Sequence, residues 1–266
     1  EDIRPLSALR GLMVLDGGHN PIQSLEPLRH LSLLQLLRLS GCGLEDISVL
    51  SALPLLRGAL LHDNRIRDVS PLAKVSSLEL LGISGNRVFS IAPLRNLPNF
   101  WWLDLSRNRI HDVTQLPLLR QGHAPYPVPG LSEHHTRGRN AILRLSHNPV
   151  HSLEPLAEQA LLTELDIDGI PATNLSFLQP LHSLRMLRAQ GCEISSIDAI
   201  TNCPELFSLH MPANRVRSLE ALSNLVHLNY VQLDENIVED LSPLSPLAQL
   251  DHLHLGGNHV TDLSPI

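Results

Sequence analysis

The sequence predicts an α/β solenoid, a coil in which each turn contributes one short strand and one tight helical turn. Three observations carry this. A fixed residue type recurs every 22 positions: Asn20, Cys42, Asn64, Asn86, Asn108, then Asn148, Ile170, Cys192, Asn214, Asn236 and Asn258. Ahead of each such anchor, apolar residues alternate with period two, as in a half-buried strand, and behind it they are spaced by three, as in a tight helical turn. Finally, no unit could bury its leucines alone, whereas stacked units make a continuous core.

With the anchor set as position zero, the stretch from Trp101 to Leu116 shows every element. Leu103 and Leu105 stand at minus five and minus three, and Ile110, Val113 and Leu116 at plus two, five and eight. Minus five is Leu, Val or Ala in all eleven repeats, and plus five is only Ile, Leu or Val, from Ile3 to Leu263. Plus four is always short and polar, for example Asp2, Ser24, Asp68, Asn174 and Asp262, as a turn that bonds its own backbone requires. Proline often occupies plus seven behind a serine, as in Ser70-Pro71 and Ser242-Pro243, which reads as a serine cap and a proline opening one helical turn. The anchor asparagine should point inward, where its amide can bond loop backbone otherwise buried without partners. Cys42 and Cys192 can replace it as weak donors. Ile170, followed by Pro171, cannot, so residues 168–173 should form the loosest turn. Cys203 sits in an apolar column, and the three thiols read as buried core groups without a Cys192–Cys203 disulfide.

The register breaks once. The step from Asn108 to Asn148 is 40 residues, or 22 plus 18, which puts an insertion at about 120–140. It should emerge beside Trp101, with Tyr126 or Val128 partly covering that ring.

These columns match L-x-x-L-x-L-x-x-N/C-x-L, and the chain resembles the leucine-rich-repeat proteins. Its 22-residue period and Asp-Ile/Leu/Val-Ser-Pro-Leu endings are similar to the class found in bacterial internalins and in a leucine-rich regulatory subunit of protein phosphatase one. The resemblance implies a right-handed horseshoe over residues 1–266, with a parallel β-sheet on the concave side and short 3₁₀ or helical turns on the convex side. It also implies one domain of about 11–12 repeats. Neither end shows a polar capping repeat, so the chain is expected to be an interior portion of a longer one, with apolar edges at Leu6, Leu9, Leu263 and Ile266 that promote fraying or aggregation.

Composition limits function. A formal charge of −7 disfavours a general nucleic-acid or anionic-membrane surface, and no apolar run is long enough to span a bilayer. Of the 20 basic residues only Lys74 is a lysine. No phosphate loop, nucleophile elbow or zinc spacing occurs, so the expectation is a monomeric non-enzyme without cofactor or metal. Compartment stays open, the free thiols being compatible with a reducing one.

On each strand, minus six, minus four and minus two should face the concavity. Asp104, Arg144, Asp166 and Arg188 alternate in sign along the minus-four column, either as a self-neutralising ladder or as a surface that fixes a partner's register. His210 and His254 continue that column. Minus six supplies Trp102, Met186, Tyr230 and His252 as interface anchors. Trp101, at minus seven, should lie at the lip, and both tryptophans could instead pack under the insertion. His252 and His254 share a face, and His134 and His135 are adjacent, but a metal would need a third ligand at fixed geometry, for which Asp234 and His210 are the nearest candidates. The function expected is a protein-binding scaffold working through its concave face. The alternative is a sensing or substrate-recruiting arm of a larger enzyme, of the GTPase or ubiquitin-ligase-effector kind. Alanine at Trp102, Tyr230 or Arg144 is expected to leave stability nearly unchanged.

Overall fold

A computed structural model describes residues 2–121 and 140–266. The expectations for Tyr126, Val128, His134 and His135 lie outside those residues. Eleven three-residue strands follow one another in chain order in a single open parallel sheet. They are β1 (Val14–Asp16), β2 (Leu36–Arg38), β3 (Gly58–Leu60), β4 (Leu80–Gly82), β5 (Trp102–Asp104), β6 (Ile142–Arg144), β7 (Glu164–Asp166), β8 (Met186–Arg188), β9 (Ser208–His210), β10 (Tyr230–Gln232) and β11 (His252–His254). Register is one repeat per strand, with Val14 opposite Leu36 and Tyr230 opposite His252. After the insertion, Ile142 N–H donates to the Trp101 carbonyl at 2.7 Å, so the ladder resumes in phase as the 22-plus-18 offset requires.

The chain divides into two compact units, Glu1–Leu143 and Arg144–Ile266. In each, the minus-five and minus-three side chains point away from the open sheet face into the core. Leu37, Leu81 and Leu103 in the first unit and Leu187, Leu209 and Val231 in the second are fully buried. Leu9, Leu263 and Ile266 are exposed, and Leu6 is half-buried.

Two backbone devices set the turn after each strand. All eleven residues at minus one have positive φ, from Arg107 and Asp63 at 53° to Gly257 at 71°. Glycine holds five of these positions, and the others strain a Cβ by about 1 kcal/mol. Ala213 (φ 55°) has no polar side-chain group to offset the strain locally. Ala213→Gly should therefore stabilise the protein by about 0.5–1 kcal/mol in urea unfolding, and a loss of stability would show that unfolded-state entropy outweighs the strain.

The second device is the anchor. Asn64 Oδ1 accepts the N–H groups of Cys42 and Leu44, while Nδ2 donates to the carbonyls of Leu39, Leu61 and His62. Asn214 repeats the scheme in full, and Asn86, Asn108, Asn236 and Asn258 repeat it with a single N–H accepted, that of plus two in the preceding repeat. Cys42 and Cys192 donate weakly through Sγ to the same kind of carbonyl, Gly17 O and Ile167 O. Only in these two repeats does the residue after the anchor, Gly43 or Glu193, also take positive φ. Ile170 is fully buried, and Ala172 N–H turns to the Cys192 carbonyl at 2.7 Å.

Ten short 3₁₀ turns lie among the described residues on the side opposite the strands, such as Ser70–Lys74 and Ser242–Leu244. All twelve plus-four side chains accept the N–H two residues on, from Asp2 with Arg4 to Asp262 with Ser264. The serine at plus six is therefore not the cap. Ser70 is the first residue of its turn, and its hydroxyl bonds Asp68 at 2.7 Å.

The three cysteines are free and buried. Burial pushes the Cys192 thiol up to about 11 and the Cys203 thiol up to about 12, which leaves both unreactive at neutral pH. No helix is long and apolar enough to cross a membrane among the described residues.

Candidate functional site

Among the described residues, three-residue strands joined by sharp turns leave one sheet face without a turn laid across it, and minus six and minus four point from it. Its character differs between the two units.

In the first unit the minus-six row is an apolar stripe. Leu36, Leu80 and Trp101 form a buried cluster, with Val14, Leu60 and Trp102 packed against it. Gly58 makes the stripe continuous, because the Leu36 and Leu80 side chains close over it where a Cβ would clash with both. Trp102 is half-buried and meets His62 edge-on at 6.1 Å. Trp101, placed at the lip by its spacing, is only 7% exposed and belongs to the cluster's packing. Asp104 is also buried, and its Oδ1 accepts the Ser106 N–H at 3.1 Å. The sequence reading missed Val14, Leu36, Leu60 and Leu80. The signal was present, since minus six is apolar in β1, β2 and β4.

In the second unit the row is aromatic and polar. Tyr230 stacks on His210 at 4.5 Å and on His252 at 5.5 Å, and it lies tilted against His254 at 5.5 Å. The spacing did predict these four as neighbours. A hydrogen-bonded chain fixes the arrangement. Ser208 Oγ and His210 Nε2 are 2.9 Å apart, His210 Nδ1 and Gln232 Oε1 3.3 Å, and Gln232 Nε2 donates to Asp234 Oδ2 at 3.2 Å. Asp234 Oδ1 in turn accepts the Gly256 N–H at 2.8 Å. A neutral His210 protonated on Nδ1 satisfies both of its contacts, donating to Gln232 and accepting from Ser208.

Burial holds the His210 imidazole below its ordinary pKa. Gln232 and Asp168 oppose that shift, and Arg188 and His254 add to it. Folded His210 thus takes up its proton at lower pH than unfolded His210, so this group's contribution to stability is complete above about 6.5 and is lost as pH falls from there towards the folded value. Titration of the ring by NMR should give a midpoint below about 6.5, rising towards it in Tyr230→Ala as the covering ring is removed. An unchanged midpoint would mean that the stack does not desolvate the imidazole.

Within the alternating column, Arg188 finds its partner outside the column. Arg188 pairs with Asp168, at minus two, at 3.7 Å, and Asp166 Oδ1 accepts the Asp168 N–H at 3.0 Å. Burial first, and then the Asp168 charge, raise the Asp166 carboxyl against the opposing Asp168 N–H bond, Arg188 and Arg144. Arg144 is exposed and Met186 half-buried. Among the described residues no group of three or more His, Cys, Asp or Glu is placed to hold a metal ion. His210, His252 and His254 are grouped around Tyr230 instead.

Stacked strand-and-turn repeats with an inward anchor asparagine, in one open parallel sheet, define a leucine-rich-repeat protein. Comparison with solved structures agrees. Internalin InlF of Listeria monocytogenes is similar over 96% of this chain and 70% of its own, with TM-score 0.84 and 26% identity. Internalin C2 of the same bacterium is similar over 93% of this chain and 83% of its own, with TM-score 0.53 and 22% identity. The leucine-rich-repeat ectodomain of the Arabidopsis thaliana membrane receptor kinase GASSHO1/SCHENGEN3, solved with Casparian strip integrity factor 2, shares the fold. There the match covers 97% of this chain and 34% of that one, with TM-score 0.70 and 20% identity. No protein-family model and no curated protein sequence matches the chain.

Proposed function

We propose that the chain is a protein-interaction scaffold that engages its partner through the open, concave sheet face. The observation that carries this is the Tyr230 cluster. Three imidazoles and a phenol are held in fixed stacking on the sheet, with Tyr230 half-buried and His252 and His254 exposed. Rigid aromatic groups with polar tips are what binding hot spots are made of, because little side-chain entropy is lost when they are covered. In the first unit the half-buried Val14, Leu60 and Trp102, lying on the buried Leu36, Leu80 and Trp101, offer a second and smaller surface. The factor-bound plant receptor ectodomain, sharing this fold, supports a protein or peptide partner. The chain acts as a monomer and without catalysis in this reading. Its test is alanine substitution at Tyr230 and Trp102, measured as affinity for a partner protein.

A further inference from the structure

The stretch leaving each anchor alternates about a buried residue. Ile66, Val88 and Ile110, at plus two, are fully buried, so plus one and plus three face outward on either side of them. In three consecutive repeats those outward positions are Arg65 and Arg67, Arg87 and Phe89, and Arg109 and His111. Backbone bonds lock the rows together. Arg65 N–H donates to Leu44 O at 2.8 Å, Arg87 N–H to Ile66 O at 2.9 Å and Arg109 N–H to Val88 O at 2.8 Å. The result is a two-by-three array carrying four guanidinium groups on a chain of net charge −7. Phe89, in its middle row, is 65% exposed.

The array is not neutralised by its surroundings. Arg65 reaches Glu45 at 3.8 Å, but Arg67, Arg87 and Arg109 have no carboxylate within ion-pair distance among the described residues. The carboxylates at plus four are engaged elsewhere: Asp68 and Asp112 each accept the N–H and hydroxyl of the residue two on, Ser70 and Thr114. The equivalent arginines of the second unit differ. Arg215 pairs with Glu193 at 3.4 Å and Arg217 with Glu239 at 2.8 Å.

We propose that this array is a docking surface, separate from the open sheet face, for a short acidic segment of a partner protein that also lays an apolar side chain on Phe89. Guanidinium forks pair with carboxylates bidentately and keep their charge at any physiological pH. Rows at repeat spacing on a locked backbone present them without reorganisation. A long polyanion would meet the negative charge of the rest of the chain, whereas a short acidic segment meets only the array.

The test uses the intact chain and a short labelled peptide of alternating Glu and Ser with one central Leu, beside its Gln-for-Glu counterpart. Oligothymidylate and phosphatidylserine vesicles are run in parallel. The Glu peptide should bind and the Gln peptide should not, with affinity falling as salt rises. Arg87→Glu with Arg109→Glu should weaken binding about tenfold or more, and Phe89→Ala should weaken it by a smaller factor. Arg215→Glu with Arg217→Glu should leave it within about twofold. Should the charge-reversed pair fail to fold, Arg87→Gln with Arg109→Gln, at outward side chains, serves the same purpose. Failure of the Glu peptide to bind at low salt, equal losses in both arginine pairs, or tighter binding of the oligonucleotide or the vesicles would each overturn the proposal.

Discussion

Replacing Asn64 by leucine should destabilise the protein by about 3–5 kcal/mol. The residue is 6% exposed, and its amide serves two N–H donors and three carbonyl acceptors drawn from its own repeat and the one before. Leucine is close in size but has no polar atoms. The Cys42 and Leu44 N–H groups and the Leu39 carbonyl would remain buried without this partner, at about 1–3 kcal/mol for each group left unsatisfied, while the Leu61 carbonyl keeps its bond from the Asn86 amide. The sum is discounted because a widened turn can admit water. At Ile170, where no amide is on offer, the following residue is Pro171, which has no N–H to place, and the Ile167 carbonyl accepts the Ile170 N–H at 3.0 Å and the Cys192 thiol at 3.2 Å. Asn64 is followed by Arg65, whose N–H needs its bond to Leu44 O. The measurement is urea unfolding of Asn64→Leu beside Ile170→Val, which should cost only about 0.5–1.5 kcal/mol. Equal costs would remove the asparagine ladder as the main polar brace of the coil.

Tyr230→Ala should weaken partner binding by roughly 2 kcal/mol, or roughly thirtyfold in Kd. The phenol ring is the centre of the cluster, so its loss also frees His210, His252 and His254 from their stacked positions. Its effect on stability should stay small, since Val231, the next residue, carries the core contact at 0% exposure. Trp102→Ala should cost binding a similar amount, but with a measurable loss of stability. Its ring packs on the Leu36, Leu80 and Trp101 cluster, so the sequence-based expectation of unchanged stability does not suit this residue. Arg144→Ala should cost less than either in affinity, because an exposed charge contributes only about 0–1 kcal/mol. Binding and unfolding measured together on all three separate the effects.

Much of the fold was legible because each repeat states the same rule. The inward columns, the plus-four turn residues and the phase across the insertion can all be read from spacing. What spacing left unread depended on side-chain reach. Arg188 can extend to Asp166 on the neighbouring strand or to Asp168 at minus two, and only coordinates separate the two. The serine at plus six looked like a cap because it precedes proline, whereas the aspartate two residues earlier accepts the serine's own N–H and so opens the turn ahead of it. The left-handed turn at minus one left a partial signal in its five glycines, masked by Arg107, Ala213 and Glu235 at equivalent positions. At the candidate site, residue type marks Tyr230 and its histidines, whereas Leu36 and Leu80 look like any other leucines of the repeat. Trp101 was misplaced because minus seven precedes the strand, and alternation does not say whether such a residue turns outward or folds back beneath its neighbours.

The most direct measurement places a photo-crosslinking amino acid at His252 on the open sheet face and, in a second variant, at Glu220 in the 3₁₀ turn on the opposite side. Both side chains are exposed, so neither substitution should disturb the fold. A partner that binds the open face will be captured from position 252 and not from 220, and Tyr230→Ala will abolish the capture. Capture of the same partner from 220 alone, or from 252 with no response to Tyr230→Ala, would contradict binding through this face.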